Sequence, residues 1–418
     1  MAQTLNLQRN SEVFLSTQNL DGGDAVSTLT PANTWKVEIL AGYAVSQAAA
    51  TQDINSSESG TTPDRSSKRF KTAMNPVEWN FQAYIRPTGV ENTSGGTNIH
   101  TSGNSMPVAD WYMWQALMSN TATYTTNKLT SVWDTGGKFL TAAKNASGNT
   151  AAHTSNYGSP TTYNMYFKMD NVIYQVSNVS VNQAVVDAAI DAVATTTWSG
   201  QGTNLLELTG TPRNNAVSVF GGTLNNGTTV TANGNAYVTT ATHSFQPFDQ
   251  WNVAGSISTA SFIKNRLSSL SVKFQPESGG STTYTFPVTA LSFTYNNNIT
   301  YLTPEELSKV NTPIGSFTGA REVTGSFTAY LRGASGDSAQ FLRDLAADRR
   351  PAPTAYSNAN LVIGGTTAPY LAFNMPAVVF DVPTHGIEDI ITVSVNFKAQ
   401  EPVDTVTTGG EVNLYAKK

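Results

Sequence analysis

Side chains able to make or break bonds are few in this chain and poorly spaced for it. The histidines, His100, His153, His243 and His385, stand far apart and none has a second ligand at metal-binding spacing, so they read as surface or loop residues and no metal site is expected. Gly222-Thr-Leu-Asn-Asn-Gly227-Thr228-Thr229 has the glycine spacing of a phosphate loop without its lysine, in a Gly/Asn/Thr-rich stretch, and reads as a turn. Glu305 and Glu306 are neighbours and point in different directions on a helix, which suits capping better than acid–base work. A glycoside hydrolase needs two carboxylates across a cleft, and no feature of the sequence locates them. There is no cysteine, which excludes disulfides, thiolate metal sites and a cysteine nucleophile and suits a reducing cytosol. Asn-x-Ser/Thr triplets at Asn55, Asn145, Asn178, Asn226 and Asn298 are idle without a secretion signal. The expectation is a protein without catalysis or cofactor.

What remains is polar contact, and its residues lie at alternate positions. From Val77 to Arg86, Trp79, Phe81, Ala83 and Ile85 alternate with Glu78, Asn80, Gln82 and Tyr84, the period of a strand with one packed and one polar face. The pattern Val77-x-x-x-Phe81-x-Ala83-Tyr84-Ile85-Arg86 returns as Val323-x-x-x-Phe327-x-Ala329-Tyr330-Leu331-Arg332, with Thr324, Ser326 and Thr328 on the polar side. A second match follows in order, Phe167-x-Met169-x-x-Val172-Ile173-Tyr174-x-Val176 against Phe373-x-Met375-x-x-Val378-Val379-Phe380-x-Val382. A closing strand runs Ile391, Val393, Val395, Phe397 against Thr392, Ser394, Asn396 and Lys398, answered by Ala194, Thr196, Trp198 against Thr195 and Thr197. A long unit occurring twice is a duplicated domain, and duplication supplies pseudo-symmetry to an assembly.

The elements that must hold these strands follow. Trp35-Lys-Val37-Glu-Ile39-Leu40 opens a strand. Met113, Trp114 and Leu117 share a spacing with Phe341, Leu342 and Leu345 and predict one short helix per copy, with Pro107 at N1 and Ser338 at N-cap as start signals. Ser46 to Lys68 has no apolar period and predicts a long loop; so does the equivalent stretch from Asn296 to Ser316, where Thr303, Pro304 and Glu306 form a capping box and predict a short helix. The domains are therefore 1–202, with an insertion at about 120–162, and 259–400, joined by 203–258 and followed by a tail at 401–418.

Composition agrees with a mainly β protein, a β-sandwich or barrel with a flanking helix in each domain: 13% of residues are charged and 39% hydrophobic, the balance being rich in Thr, Ser, Asn and Gly. A net charge of −5 builds no basic stripe, so tight DNA binding is disfavoured. The start lacks the apolar core of a signal peptide, and no apolar run is long enough to span a bilayer. Domains carrying about four strands each, six to a ring, would close roughly 24 tilted strands into a barrel wide enough for a DNA duplex.

Several ordered segments carry a resemblance: Lys68-Arg69-Phe70 with Glu78-Trp79, Thr197-Trp198-Ser199-Gly200, Ile263-Lys264-Asn265, Asn296 to Pro304, and Pro313-Ile314-Gly315-Ser316-Phe317-Thr318-Gly319-Ala320. To about Ala399 the chain resembles the major tail tube proteins of long, flexible-tailed phages related to coliphage T-five. That resemblance implies a duplicated tube domain, trimeric rings with pseudo-sixfold symmetry, and a stacked tube that conducts double-stranded DNA without binding it tightly. It also implies assembly in the host cytoplasm, residence in the virion, and contacts with tape measure, tail terminator and tail-tip proteins, with no membrane partner. The immunoglobulin-like decoration of the better-known relative has no counterpart after Pro402. On this reading Glu78, Asn80, Gln82, Thr195, Thr197, Thr324, Ser326, Thr328, Thr392, Ser394 and Asn396 face the channel. Ser46, Asp53, Glu58, Asp64, Lys68, Asn298, Tyr301, Glu305, Glu306 and Lys309 belong to loops that reach the next ring, and Arg86 and Arg332 are candidates for contacts between subunits. The alternative reading, a two-domain adhesin or carbohydrate-binding module, calls for exposed aromatics in a shallow groove.

Overall fold

The computed structural model describes residues 11–17, 34–37, 39–40, 42–55, 67–85, 87–90, 106–108, 110–118, 123–124, 138–141, 163–169, 172–207, 222–224, 229–232, 235–238, 243–245, 263, 265–275, 280–286, 288–350, 357–364, 370–381, 384–386, 390–400 and 411–417. The first part of the chain forms β1 (Ser11–Ser16), β2 (Thr34–Val37), β3 (Ala44–Asn55), β4 (Ser67–Tyr84), β5 (Pro87–Val90), β6 (Met106–Val108), α1 (Trp111–Met118), β7 (Thr123–Tyr124), β8 (Lys138–Thr141), β9 (Tyr163–Met169), β10 (Val172–Ala189), β11 (Thr195–Gly202) and β12 (Asn204–Glu207). Next come β13 (Gly222–Leu224), β14 (Thr229–Ala232), β15 (Asn235–Val238) and β16 (His243–Phe245), which pair as β13–β16 and β14–β15. The rest forms β17 (Ser269–Phe274), β18 (Thr282–Phe286), β19 (Val288–Asn296), β20 (Ile299–Leu302), β21 (Gly315–Thr318), β22 (Glu322–Tyr330), α2 (Ser338–Ala347), β23 (Ser357–Ile363), β24 (Tyr370–Phe380), β25 (Thr384–Gly386), β26 (Thr392–Ala399) and β27 (Asn413–Lys417).

The protein is mainly β, and its pairing order repeats. In the first half β2, β1, β9, β10, β11, β4 and β3 are successive neighbours, with β12 along the start of β10. In the second half β18, β17, β23, β24, β26, β22 and β19 follow in the same way, with β27 along β24. β10 carries bulges near Asn178, whose φ is +49, and near Asn182, so its first half pairs with β9 and β12 and its second half with β11. The two faces of a sandwich thus share one bent strand. The core lies between them and is aromatic-rich: Trp114 meets Trp198 edge-on at 4.8 Å, and Phe341 of α2 packs edge-on against Phe286 and Phe380.

One volume is conserved across the repeat while its owner changes. Trp79 of β4 lies opposite Gly200 of β11, where an added Cβ would fall 2.5 Å from the indole and 2.2 Å from the Ser180 carbonyl. At the equivalent pair Gly325 of β22 lies opposite Phe397 of β26, with a Cβ 2.3 Å from that ring. Close packing requires one large and one absent side chain per pair, whichever strand supplies it.

Several expectations are corrected. The first repeated pattern and the closing strands keep their register, but the second match is not structural. Phe167 and Met169 lie in β9 and Val172 to Val176 in β10, across a hairpin that pairs Met169 with Val172, whereas Phe373 to Phe380 run along β24 alone. Both segments feed apolar residues to the core, and that shared demand explains the likeness. Ser46 to Lys68 is not one long loop, since 44–55 and 67–84 form a ladder, a ribbon exposed on both faces toward its tip and therefore lacking any apolar period. No helix forms at 303–307; Ser308 has φ +73, and the Glu306 N–H is taken by Asn311 Oδ1 at 2.9 Å. Pro107 belongs to β6, α1 starts at Trp111, and Asp337 rather than Ser338 is the N-cap of α2. The segment expected as a tail supplies β27, whose Leu414 and Tyr415 are buried, as is Val412 just before it. The first-half insertion supplies β8, which pairs with β27.

Candidate functional site

One face of one sheet gathers the polar residues. The halves join because the second half of β10 pairs with β19, from Gln183↔Asn296 to Ala189↔Ala290. The neighbours β3, β4, β11, β10, β19, β22, β26 and β25 therefore form a continuous surface. Directly opposed residues share a face. One row reads Gln82, Thr197, Val185, Thr294, Thr324, Lys398, and the next Tyr84, Thr195, Asp187, Ser292, Ser326, Asn396. Glu78 and Asn80 extend the face on β4, and Thr328, Ser394 and Thr392 on β22 and β26.

All eleven residues expected on this face have exposed or half-buried side chains, while Val77, Trp79, Phe81, Thr196, Trp198, Val323, Phe327, Val395 and Phe397 between them are buried. Sequence reading missed Ser199, Gln183, Asp187, Ser292 and Thr294. Ser292 and Thr294 alternate with buried Leu291, Phe293 and Tyr295, a signal as clear as that of β4.

The face is weakly acidic. Among the described residues on the rungs from Glu78 to Tyr84 and their neighbours, the charged ones are Glu78, Asp187 and Glu322 against Lys398, whose Nζ lies 2.9 Å from Glu322 and so presents little free charge. Neutral side chains satisfy one another and one of the acids: Gln82 Nε2 donates to Thr195 Oγ1 at 3.2 Å, Thr328 and Ser394 hydroxyls lie 3.1 Å apart, and Ser292 Oγ donates to the Asp187 carboxylate at 2.8 Å.

Polar latches hold the joint between the halves. Asn297 Nδ2 donates to the Leu117 carbonyl at the end of α1 at 2.7 Å, and the Ile299 N–H donates to Asn182 Oδ1 at 2.7 Å. The Tyr301 hydroxyl donates to the Asn178 carbonyl at 2.7 Å and lies 3.0 Å from Ser180 Oγ and from the Gln201 carbonyl; burial pushes it up to about 12. Tyr301, expected to reach outward to another ring, is instead buried inside the chain, where its hydroxyl supplies a donor to backbone carbonyls of the first copy.

Of the other loop residues, Ser46, Asp53 and Lys68 are exposed on the β3–β4 ribbon, where Arg69 grips Asp53 at 2.6 Å and holds its carboxyl below the usual range. Asn298, Glu305, Glu306 and Lys309 are exposed, Lys309 paired with Glu306 at 2.7 Å. Asn311 tethers this loop to β4 by accepting from the Met74 N–H at 2.7 Å. Around it stand the exposed apolar residues Leu302, Leu307, Ile314 and Phe317. Arg332 is exposed, its backbone N–H donating to Ser338 Oγ; Glu58, Asp64 and Arg86 lie outside the described residues.

Behind the joint, Asp110 precedes α1 and is buried with no hydrogen bond to either carboxylate oxygen among the described residues; burial pushes its carboxyl up to about 7. The indoles of Trp198 and Trp114 beside it counter that shift only in part. Among the described residues no group of His, Asp and Glu is placed to hold a metal ion, and no helix is long and apolar enough to cross a membrane.

The sequence is similar to the Tail tube protein pb6 of Escherichia phage T5, 29% identical over 404 residues that cover 95% of this chain and 73% of that protein. No family model matches the chain. The similarity spans both halves of the repeat and supports the resemblance to T5-like tail tube proteins carried by the ordered segments.

Proposed function

We propose that this chain is a structural, non-catalytic virion protein, three copies of which close a ring, and that stacked rings form the tail tube through which double-stranded DNA passes. The observation that carries this reading is the joint between β10 and β19. It adds one copy of the fold to the next strand by strand, and the chain still has edges at which the operation can continue: among the described residues β3 pairs only with β4, and β25 only with β26. Each copy gives this sheet four strands, β3, β4, β11, β10 and then β19, β22, β26, β25, so three chains supply the roughly 24 strands a duplex-wide barrel requires.

The weakly acidic face lines the channel. Phosphate retention needs free Lys or Arg, and Lys398 is already engaged by Glu322, so DNA slides past hydroxyl and amide groups. Rings stack head to tail. The β3–β4 ribbon and the 303–314 loop leave one end of the sheet, while the turns bearing exposed Ile190, Val193, Ile390 and Ile391 close the other. Two different apolar ends on one molecule suit a heterologous contact that propagates into a filament. Partners are then further copies of the chain, with tape measure, terminator and tip proteins at the ends of the tube, assembled in the host cytoplasm.

Electron microscopy of the purified protein and mass measurement of isolated rings test this. Rings of three 44.6 kDa chains are expected. Six chains per ring, or a protein that stays monomeric under all assembly conditions, would overturn it.

A further inference from the structure

Each side of the internal joint has an uncovered counterpart elsewhere on the chain. Ser180 of β10 pairs with Gln201, and Val379 of β24 pairs with Lys398 at the equivalent rung, yet Ser180 is fully buried while Val379 is 47% exposed. What covers Ser180 is the second copy: its hydroxyl lies 3.2 Å from that of Ser316 on β21. The residue equivalent to Ser316 in the first copy, at the offset relating Val77 to Val323, is Phe70, which is 44% exposed. A matched hydroxyl pair inside the chain thus corresponds to two uncovered apolar side chains on its outer edges.

We infer that Val379 of one chain packs on Phe70 of a second copy of this chain, while β25 pairs antiparallel with β3 of that copy, Thr384 opposite Ser46 and Gly386 opposite Ala44. This rests on the ring reading and adds the identity and register of the contact. The register comes from the internal joint. Val185 and Asp187 oppose Thr294 and Ser292 there; Thr384 and Gly386 hold on β26 the rungs that Val185 and Asp187 hold on β11. Ser46 and Ala44 hold on β4 the rungs that Thr294 and Ser292 hold on β22. The occupant is a second copy because the surface already binds the same fold once within the chain, and apolar now meets apolar where hydroxyl met hydroxyl.

Two sets of variants test the inference by electron microscopy and denaturation of the monomer. Val379→Asp is expected to leave the monomer's unfolding midpoint unchanged, since the side chain is exposed, and to abolish rings; Phe70→Lys should do the same, and the two together in one chain should restore rings through the opposite charges. Independently, Thr384→Cys with Ser46→Cys, in a chain that has no other cysteine, should give disulfide-linked oligomers ending at a closed trimer on mild oxidation, because opposed residues of an antiparallel pair lie within disulfide reach. Normal ring formation by Val379→Asp, or rings that do not cross-link, would overturn this contact while leaving the ring itself standing. Absence of rings from the unaltered chain would instead remove the reading beneath it.

Discussion

Replacing Asp110 with asparagine is expected to stabilise the fold above neutral pH and to leave its stability in acid unchanged. Asp110 is 1% exposed, and desolvation of its carboxyl outweighs the opposing effect of the Trp198 and Trp114 indoles, so its native pKa rises from 3.8 to about 7. An acid with a raised native pKa keeps its proton in the folded state after the unfolded chain has lost it. Stability is then full below about pH 4, falls as pH rises, and levels off once pH has passed about 7. Three pKa units at about 1.36 kcal/mol each place the cost of the charge at about 4 kcal/mol at most. Asparagine keeps the backbone contacts, since the Asp110 carbonyl rather than its side chain accepts from the Met113 and Trp114 N–H groups at 3.0 and 3.2 Å. The assay is denaturant unfolding of the monomer at several pH values. The gap between Asp110→Asn and the unaltered protein should be near zero at pH 4 and grow to its limit by pH 8. A gap that does not change with pH, or an asparagine variant less stable at pH 8, would refute the assignment and mean that the carboxylate is ionised and solvated.

Gly200→Ala should destabilise by about 1–3 kcal/mol through the clash with Trp79 and the Ser180 carbonyl, and Trp79→Leu should recover part of the loss; calorimetry of the single and double variants measures both. Tyr301→Phe should cost about 1–2 kcal/mol and speed amide exchange at the β10–β19 joint, because a backbone carbonyl loses its donor. Lysine at Asn80, Gln82, Ser326 and Thr328 should leave the monomer folded, as these side chains are exposed or half-buried, but slow DNA passage in assembled particles in a way that high salt relieves.

What the sequence discloses follows which faces are buried. β4, β22 and β26 each bury one face against the core, so alternate residues were forced to be apolar and their register was readable from Val77 to Arg86 and from Ile391 to Lys398. The ribbon at 46–55 buries neither face, and backbone pairing with a few surface polar contacts such as Arg69–Asp53 holds it, so no apolar period separates it from a loop. The capping box at Thr303 is a local preference of about 1 kcal/mol, and the tether of Asn311 to β4 overrides it. The join of β10 to β19 brings together segments about a hundred residues apart through main-chain bonds, which leave no periodicity of their own. Hence the strands of the polar face, and the edge-to-edge joining of domains, were legible, whereas the particular pair of strands that makes the joint was not.

The two copies differ where one copy meets the next, and this bears on how assembly is controlled. Inside the chain the joint carries Tyr301, Asn297 and Asn182, groups that are costly to leave unpaired and that fix a single register. The corresponding stretch of β3, Ala49-Ala50-Thr51-Gln52, has neither tyrosine nor asparagine, and Val379 stands where Ser180 would be. On the proposed ring contact the joint within a chain is therefore strong and permanent, whereas the joint between chains relies on a short backbone ladder and exposed apolar side chains. A contact of that kind is weak for an isolated pair of chains and becomes strong when a ring closes, because the closing chain makes two joints and gains the second without a further loss of translational freedom. Free chains should thus stay apart at concentrations where a preformed ring still recruits them, so that tube growth begins on a template rather than at random in solution.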